Sequence, residues 1–99
     1  MPAICRGDLK DLDVTHCSRP KRRDRSDDVL VNGIGISRQT DVNHPHLIPE
    51  ADTCSTHEAP ITTGSTEVFV NGLGCGRIGD AVTNCTKVAT GSADTFAGP

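Results

Sequence analysis

Four side chains spread along the chain have the chemistry of a metal cage: His16, His46, His57 and Cys85. Zinc takes four ligands in a tetrahedron, drawn from imidazole nitrogen and thiolate sulfur. No Cys-x-x-Cys knuckle is present, so local spacing does not define the set. Register does. Three Arg–Asp elements occur, in CRGD (5–8), SRQTD (37–41) and GRIGD (76–80). Each is followed by a soft donor: His16 eight residues after Asp8, His46 five after Asp41, and Cys85 five after Asp80. His57, in CSTHEAP, completes a His₃Cys set. Three other residues compete. His44 lies beside His46 but lacks its register, Cys54 lies three residues before His57, and Cys17 is a weaker rival next to His16. Without the repeat, surface histidines and buried thiols are the plainer reading.

A cage with members so far apart in sequence ties distant segments together, which this composition needs. The 99 residues make one domain, residues 1–99, of which 34% are apolar; two are Phe and none is Trp or Tyr. A domain of this size leaves much of its surface wet, so a disulfide, a metal or a partner chain is expected to staple it. Zinc can supply much of the folding energy of such a domain. The five cysteines are an odd number, the N-terminus MPAICRGDLK has no hydrophobic signal region, and no stretch is apolar enough to span a membrane. The expectation is a chain that folds where it is made or leaves the cell by a route that needs no signal peptide, with thiols that favour metal over disulfides.

The elements that would position the cage are repeated hairpins. VLVNGIGISRQTD (29–41) and VFVNGLGCGRIGD (68–80) share Val-Asn-Gly, the second Gly, Arg and the final Asp at an offset of 39 residues. Asn-Gly between alternating apolar residues signals two short strands joined by a turn with positive φ. Val29/Val31, Val68/Val70 and Ile34/Leu73 are expected on matching faces. A third opening, GSADTFAG (91–98), matches GSTEVFVNG, so the chain holds two complete units and a truncated one. Residues 1–25 read as polar and turn-rich, 41–60 as an irregular Pro-rich loop, and 81–90 as a short extended segment. Cys75 stands where Ile36 stands in the first unit and reads as a small core residue. No helix is expected. The fold class is all-β: hairpins that cannot bury a face alone stack around a shared axis, and three copies predict internal pseudo-threefold symmetry.

GSTEVFVNGLGCGRIGD, then Cys85, then GSADTFAG resembles the PAAR-repeat family, and CRGD with His16 is similar to that family's N-terminal Gly-Asp followed by His. The resemblance covers most of the chain from residue 26 onward. The sequence departs from the family pattern in several places. Thr66 and Ala93 stand where Pro is usual, Thr95 replaces a common Val, Arg38-Gln39-Thr40-Asp41 lacks the Gly before Asp, and the Pro-Ala-Ala-Arg tetrapeptide is missing. The resemblance implies a small cone, zinc-stapled near its apex by His16, His46, His57 and Cys85. Such a cone caps the blunt end of a trimeric β-helical spike, one tip per trimer, in a contractile phage tail or a type VI secretion system. The end of the sequence at Pro99 implies a stand-alone tip and leans towards a phage-like tail.

The implied function is mechanical: a metal-crosslinked apex resists splaying when a sheath drives it into an envelope. The strand openings near Val29, Val68 and Thr95, with Val31 and Val70 behind them, would pair with the trimer by strand addition. An enzyme is disfavoured, since four protein ligands leave zinc no open position and no nucleophile–base pair stands out. The basic stretch RPKRRDR (19–25) reads as a solvated loop on the outside of the cone. A nucleic-acid module is the competing reading of that stretch, but net charge is −3 and aromatic stacking partners are lacking. On the solvated-loop reading, neutralising Lys21, Arg22 and Arg23 together should change little.

Overall fold

The two Asn-Gly pairs turn the chain as their type requires. Asn32 and Gly33 have φ of 55° and 77°, and Asn71 and Gly72 have 54° and 79°, the left-handed values that suit a tight hairpin. The computed structural model describes residues 1–15, 20–50, 53–83 and 86–99, with the backbone alone for 46–50 and 53–57. It is all-β, with no helix among the described residues. Among the described residues eight strands form four two-stranded antiparallel sheets: β1 (Leu30–Val31) with β2 (Ile34–Gly35), β3 (His46–Glu50) with β4 (Thr53–His57), β5 (Phe69–Val70) with β6 (Leu73–Gly74), and β7 (Ala81–Val82) with β8 (Thr86–Lys87).

The short hairpins are joined by a ring of main-chain bonds. Cys5 N donates to Gly76 O at 3.1 Å, Gly76 N to Ser37 O at 3.0 Å, and Ser37 N to Cys5 O at 3.1 Å, which closes the cycle. Around it Ile4 bridges Arg77, Arg6 bridges Ile36, and Arg38 bridges Cys75. The ring tolerates little bulk: a Cβ on Gly76 would sit 2.5 Å from Ser37 O and 2.8 Å from Cys5 Sγ. The residues that meet there are accordingly Cys, Ser and Gly.

Each of the three segments carries the same local bonds. The amides of Ser26, Ser65 and Ser92 donate to the carbonyls of Ile36, Cys75 and Ile4, whose amides return to Val29, Val68 and Thr95. The third unit is therefore whole. Its opening strand comes from the C-terminal segment and its closing strand from the N-terminal one, with Phe96 bridged to Ala3 and Ala97 N donating to Pro2 O. Residues 1–8 are thus a working part of the repeat and not merely a polar lead-in.

Two apolar clusters lie along this stack. Ile4, Val31, Ile36, Val70, Cys75 and Ala97 form one, on the side of the turns, and Cys5, Ala59, Ile61, Val82 and Val88 form the other. Cys75 is fully buried beside Ile36, as its register predicted. The valine pairs, however, split. Val31 and Val70 are buried, while Val29 and Val68 remain 36% and 38% exposed. The period-2 alternation does not reach back that far, because Ser26 and Ser65 cap a turn: Ser26 Oγ accepts from the amides of Asp28 and Val29, and Ser65 Oγ from those of Glu67 and Val68. The strands begin one residue later. Ile34 and Leu73 are half-buried.

Beyond the ring the described residues within 11–22, 41–61 and 80–88 form the bases of three longer arms. Arg22, Ile61 and Val88 each return an amide to Asp11, Asp41 and Asp80 respectively. Two segments expected to be irregular or merely extended are hairpins here. Residues 81–90 contain β7 and β8, and 41–60 contain the five-residue ladder β3–β4. The prolines of 41–60 were the reason to expect a loop there, and one of them, Pro49, lies inside β3. A two-stranded sheet leaves each strand an outer edge, where a residue without an N–H is tolerated.

One residue in the arm bases is strained. Thr40 has φ of 79° where the second unit has Gly79 at 91°, and both amides donate to the facing arm, to Ile61 O and Val88 O. A β-branched residue with left-handed φ is an outlier, and nothing lies within 4 Å of a Cβ at Gly79 that would favour a side chain there. Thr40→Gly is expected to stabilise the protein by about 1 kcal/mol, read as a higher midpoint in urea denaturation with an unchanged slope.

Candidate functional site: a clasped ring between a metal-type arm set and an apolar turn face

Three Arg–Asp clasps hold the units together, and they do not all use the expected carboxylates. Arg38 Nε lies 2.8 Å from Asp41 Oδ2, and Arg77 Nη2 lies 3.0 Å from Asp80 Oδ1. The third clasp is Arg6 Nε to Asp11 Oδ2 at 2.8 Å, not Arg6 with Asp8. Asp8 instead accepts from Arg25 Nε at 2.9 Å. A two-residue insertion after Gly7 obscures this in the sequence, since Asp8 and Leu9 both adopt left-handed φ and lengthen the turn. Each arginine also reaches the next unit: Arg6 Nη1 to Asn32 Oδ1, Arg38 Nη1 to Asn71 Oδ1, and Arg77 Nη1 to Gly98 O. Beside them the hydroxyls of Ser92, Ser26 and Ser65 donate to the same three carbonyl oxygens. In each arginine the carboxylate's hydrogen bond is the largest influence, and it raises the guanidinium pKa further above its ordinary value.

Moving the clasp to Asp11 changes the register of the metal-type residues. His16, His46 and Cys85 now follow Asp11, Asp41 and Asp80 by the same five residues. His16 and Cys85 lie outside the described residues, as does Cys17, and for His46, His57 and Cys54 only the backbone is described. His46 and His57 are partners across the first rung of the β3–β4 ladder, whereas Cys54 pairs with Pro49, three rungs further out. Residues directly opposite in an antiparallel pair have Cα atoms about 4.5–5.5 Å apart.

The flanks of the four positions are hydrogen-bonded to one another. Val14 N donates to Lys87 O at 2.8 Å, His44 N to Lys21 O at 2.8 Å, Asn43 N to Ala59 O at 3.1 Å, and Thr83 N to Pro60 O at 3.0 Å. Bridges Asp13–Val88, Arg22–Asn43 and Ile61–Val82 tie the same arms one step nearer the ring. Among the described residues no three His, Cys, Asp or Glu side chains gather as a metal site. The two described thiols are of another kind. Burial pushes Cys5 far above its ordinary pKa and Cys75 up to about 11, so both are inert core residues.

A polar network lies between the arms where an apolar layer was to be expected. Arg22 occupies the position that Ile61 and Val88 fill in the other arms, and it is fully buried. Its Nη1 lies 3.0 Å from Asp13 Oδ2, its Nη2 2.8 Å from Asp41 O and its Nε 3.2 Å from Ser37 Oγ. Asn43 Nδ2 donates to the same Asp13 oxygen at 3.0 Å, and Asn43 Oδ1 accepts Ala59 N at 2.9 Å. Asp13 Oδ1 has no hydrogen-bond partner among the described residues. This overturns the expectation of a solvated basic loop. Arg22 is an interior residue, Pro20 is buried with it, Arg23 pairs with Asp24 and Glu58, and Arg25 pairs with Asp8 and Asp27. Of the described cations in that stretch, only Lys21 is exposed and outside an ion pair.

At the turns the surface is apolar. Leu30, Phe69 and Phe96 occupy one repeated position, paired with Gly35, Gly74 and Ala3, and are 54%, 60% and 48% exposed. Val29 and Val68 join them, and Thr95 is half-buried. Val31 and Val70 belong to the core beneath. Sequence reading missed Leu30, Phe69 and Phe96 because strict alternation favours the valines on either side. The discriminating signal was the recurrence of a large apolar residue directly before each Val-Asn or Ala-Gly pair.

Removing one member of a buried ion pair strands the other charge and costs about 3–5 kcal/mol. Arg22→Met is therefore expected to destabilise the protein by about that amount, while Lys21→Ala stays within about 0.5 kcal/mol. Replacing the pair by the residues of the other arms, Arg22→Ile with Asp13→Val, should recover much of the loss in chemical denaturation. A silent Arg22→Met would contradict the buried geometry.

No protein-family model matches this chain, and no curated protein matches it.

Proposed function

We propose that the protein is a structural spike tip of the PAAR-repeat type. It caps the blunt end of a trimeric β-helical spike in a contractile injection machine, either a phage tail or a type VI secretion system. The closed ring through Cys5, Ser37 and Gly76, with three clasps and three exposed apolar positions around it, carries this proposal. A single chain whose bonds repeat three times in a cycle has an internal pseudo-threefold axis, and its natural partner has a true one. In the cone this implies, the turns form the base and the arms converge on the apex.

The apex would hold one structural zinc through His16, His46, His57 and Cys85. The donor set fits the metal: imidazole and thiolate are its preferred ligands. Support comes from the common five-residue offset behind Asp11, Asp41 and Asp80, from the pairing of His46 with His57, and from the hydrogen-bonded flanks of all four positions. Bound zinc would supply cross-linking between the arms, resisting their separation under load. Around it the chain's own residues do the remaining work: the β3–β4 ladder carries two of the ligands, and the Arg22–Asp13–Asn43 network braces the arms beneath. A filled four-ligand shell leaves no position for substrate, so the role is mechanical and not enzymatic.

Purified protein is expected to carry about one zinc per chain by elemental analysis. Cys85→Ser and His57→Ala should lose the metal and melt at lower temperature, and His44→Ala should retain it. Zinc lost from His44→Ala but kept in His46→Ala would overturn the ligand assignment.

Mixing the protein with the spike trimer of the same particle should give one tip on three spike chains by native mass spectrometry. Three tips per trimer would rule out the capping role.

A further inference from the structure

Eleven side-chain carboxylates lie among the described residues, and eight of them sit in ion pairs. The three without a cation are Asp28, Glu67 and Asp94. All three are exposed, and all three occupy the same repeated position, two residues after the capping serines Ser26, Ser65 and Ser92. Each directly precedes the apolar pair of its unit: Val29-Leu30, Val68-Phe69 and Thr95-Phe96. Two are also fixed in place. Asp28 accepts Asn71 Nδ2 at 2.9 Å, and Asp94 accepts Asn32 Nδ2 at 3.0 Å. Those amides, and then the serine hydroxyls, hold both carboxyls below their ordinary pKa and keep them charged.

The other described carboxylates are all neutralised pair by pair, so the survival of these three at one position in every unit calls for an external partner. Apolar contact through Leu30, Phe69 and Phe96 is non-directional. By itself it lets two threefold objects meet at any rotation about their common axis. A charge at the edge of each apolar position removes that freedom. We propose that Asp28, Glu67 and Asp94 form a charge lock that selects a threefold partner presenting one lysine or arginine per subunit around an apolar centre, and fixes its rotation. This rests on the reading that the turn face caps a trimer. It also argues against pairing of two copies through this face, since like charges would then be apposed.

The test measures association of the full-length protein with the full-length spike trimer of the same particle, by stopped flow at 50 and 500 mM salt (about these values). Charges at the edge of an interface act mainly on the association rate and its salt dependence. The wild-type rate should fall about tenfold across that range. A triple variant, Asp28→Asn, Glu67→Gln and Asp94→Asn, should start near the high-salt rate and barely respond to salt. Glu67→Lys tests the lock without disturbing the fold, because no hydrogen bond or ion pair holds the Glu67 side chain among the described residues. It should slow association several-fold while the melting temperature of the free protein stays unchanged. Equal rates for all three proteins at both salts would overturn the lock and leave capping intact. Failure of the wild type to bind at either salt would overturn capping and the lock together. A dimer of the free protein that the triple variant strengthens would assign the face to self-association instead.

Discussion

Three main-chain hydrogen bonds close a ring through Cys5, Ser37 and Gly76, and the rest of the molecule is arranged around the need to make them. Backbone groups buried there have no water to fall back on, and a buried polar group left unpaired costs more than a made bond returns. The crowding that this imposes excludes any sizeable side chain at the centre. The apolar residues are accordingly displaced to either side, into two small clusters instead of one core. Each cluster is too thin to hold the chain on its own. The clasps of arginine, aspartate and serine, which also couple adjacent units, take up part of that deficit at the rim.

Repetition around the ring is deliberately incomplete between the arms. Ile61 and Val88 are the expected occupants of their layer, and Arg22 stands in the third place with Asp13 and Asn43 as its partners. A buried ion pair rarely adds stability over a well-packed apolar alternative. Its effect here is discrimination. Arg22 and Asp13 share one arm, and each bonds to the 41–61 arm, through Asp41 O and Asn43 Nδ2, so an exchanged arm would leave these buried polar groups short of partners. The residues that break the repeat thus determine which arm goes where.

What could be read from the amino-acid order follows from how local each cause is. The Asn-Gly turns need nothing beyond two residues of positive φ, and both were legible. So was the burial of Cys75, from its register with Ile36. Val29 and Val68 part from Val31 and Val70, with which they were expected to share a face, because a serine side chain, not a strand, sets the backbone just before them. The ladder β3–β4 was hidden by Pro49, whose effect depends on which strand edge it faces. Arg22 was illegible in principle, since a cation in a basic run reads as solvated unless its partner, nine residues away and inside, is known. The first clasp was obscured by two inserted residues. Once Asp11 replaces Asp8, the offset to His16 matches the other two, so the candidate ligands were better ordered in the sequence than they looked.

The third unit is assembled from residues 1–8 and 91–98, and this governs the order in which the protein can form. The hairpins at 30–35 and 69–74 close short loops and can appear as soon as they are synthesised. The bridge from Ala3 to Phe96 closes a loop of more than ninety residues, an entropic demand of about 4 kcal/mol met only when everything between is already in place. The Ala3–Phe96 bridge is therefore expected after the bonds of Cys5 to Ser37 and Gly76, which close shorter loops. Until residues 91–97 are made, residues 4–7 have partners in Gly35, Ile36, Ser37, Gly76 and Arg77, but the third unit stays open. Maturation is a single late event in which the two distant strands meet, and contact order of this kind makes it slow.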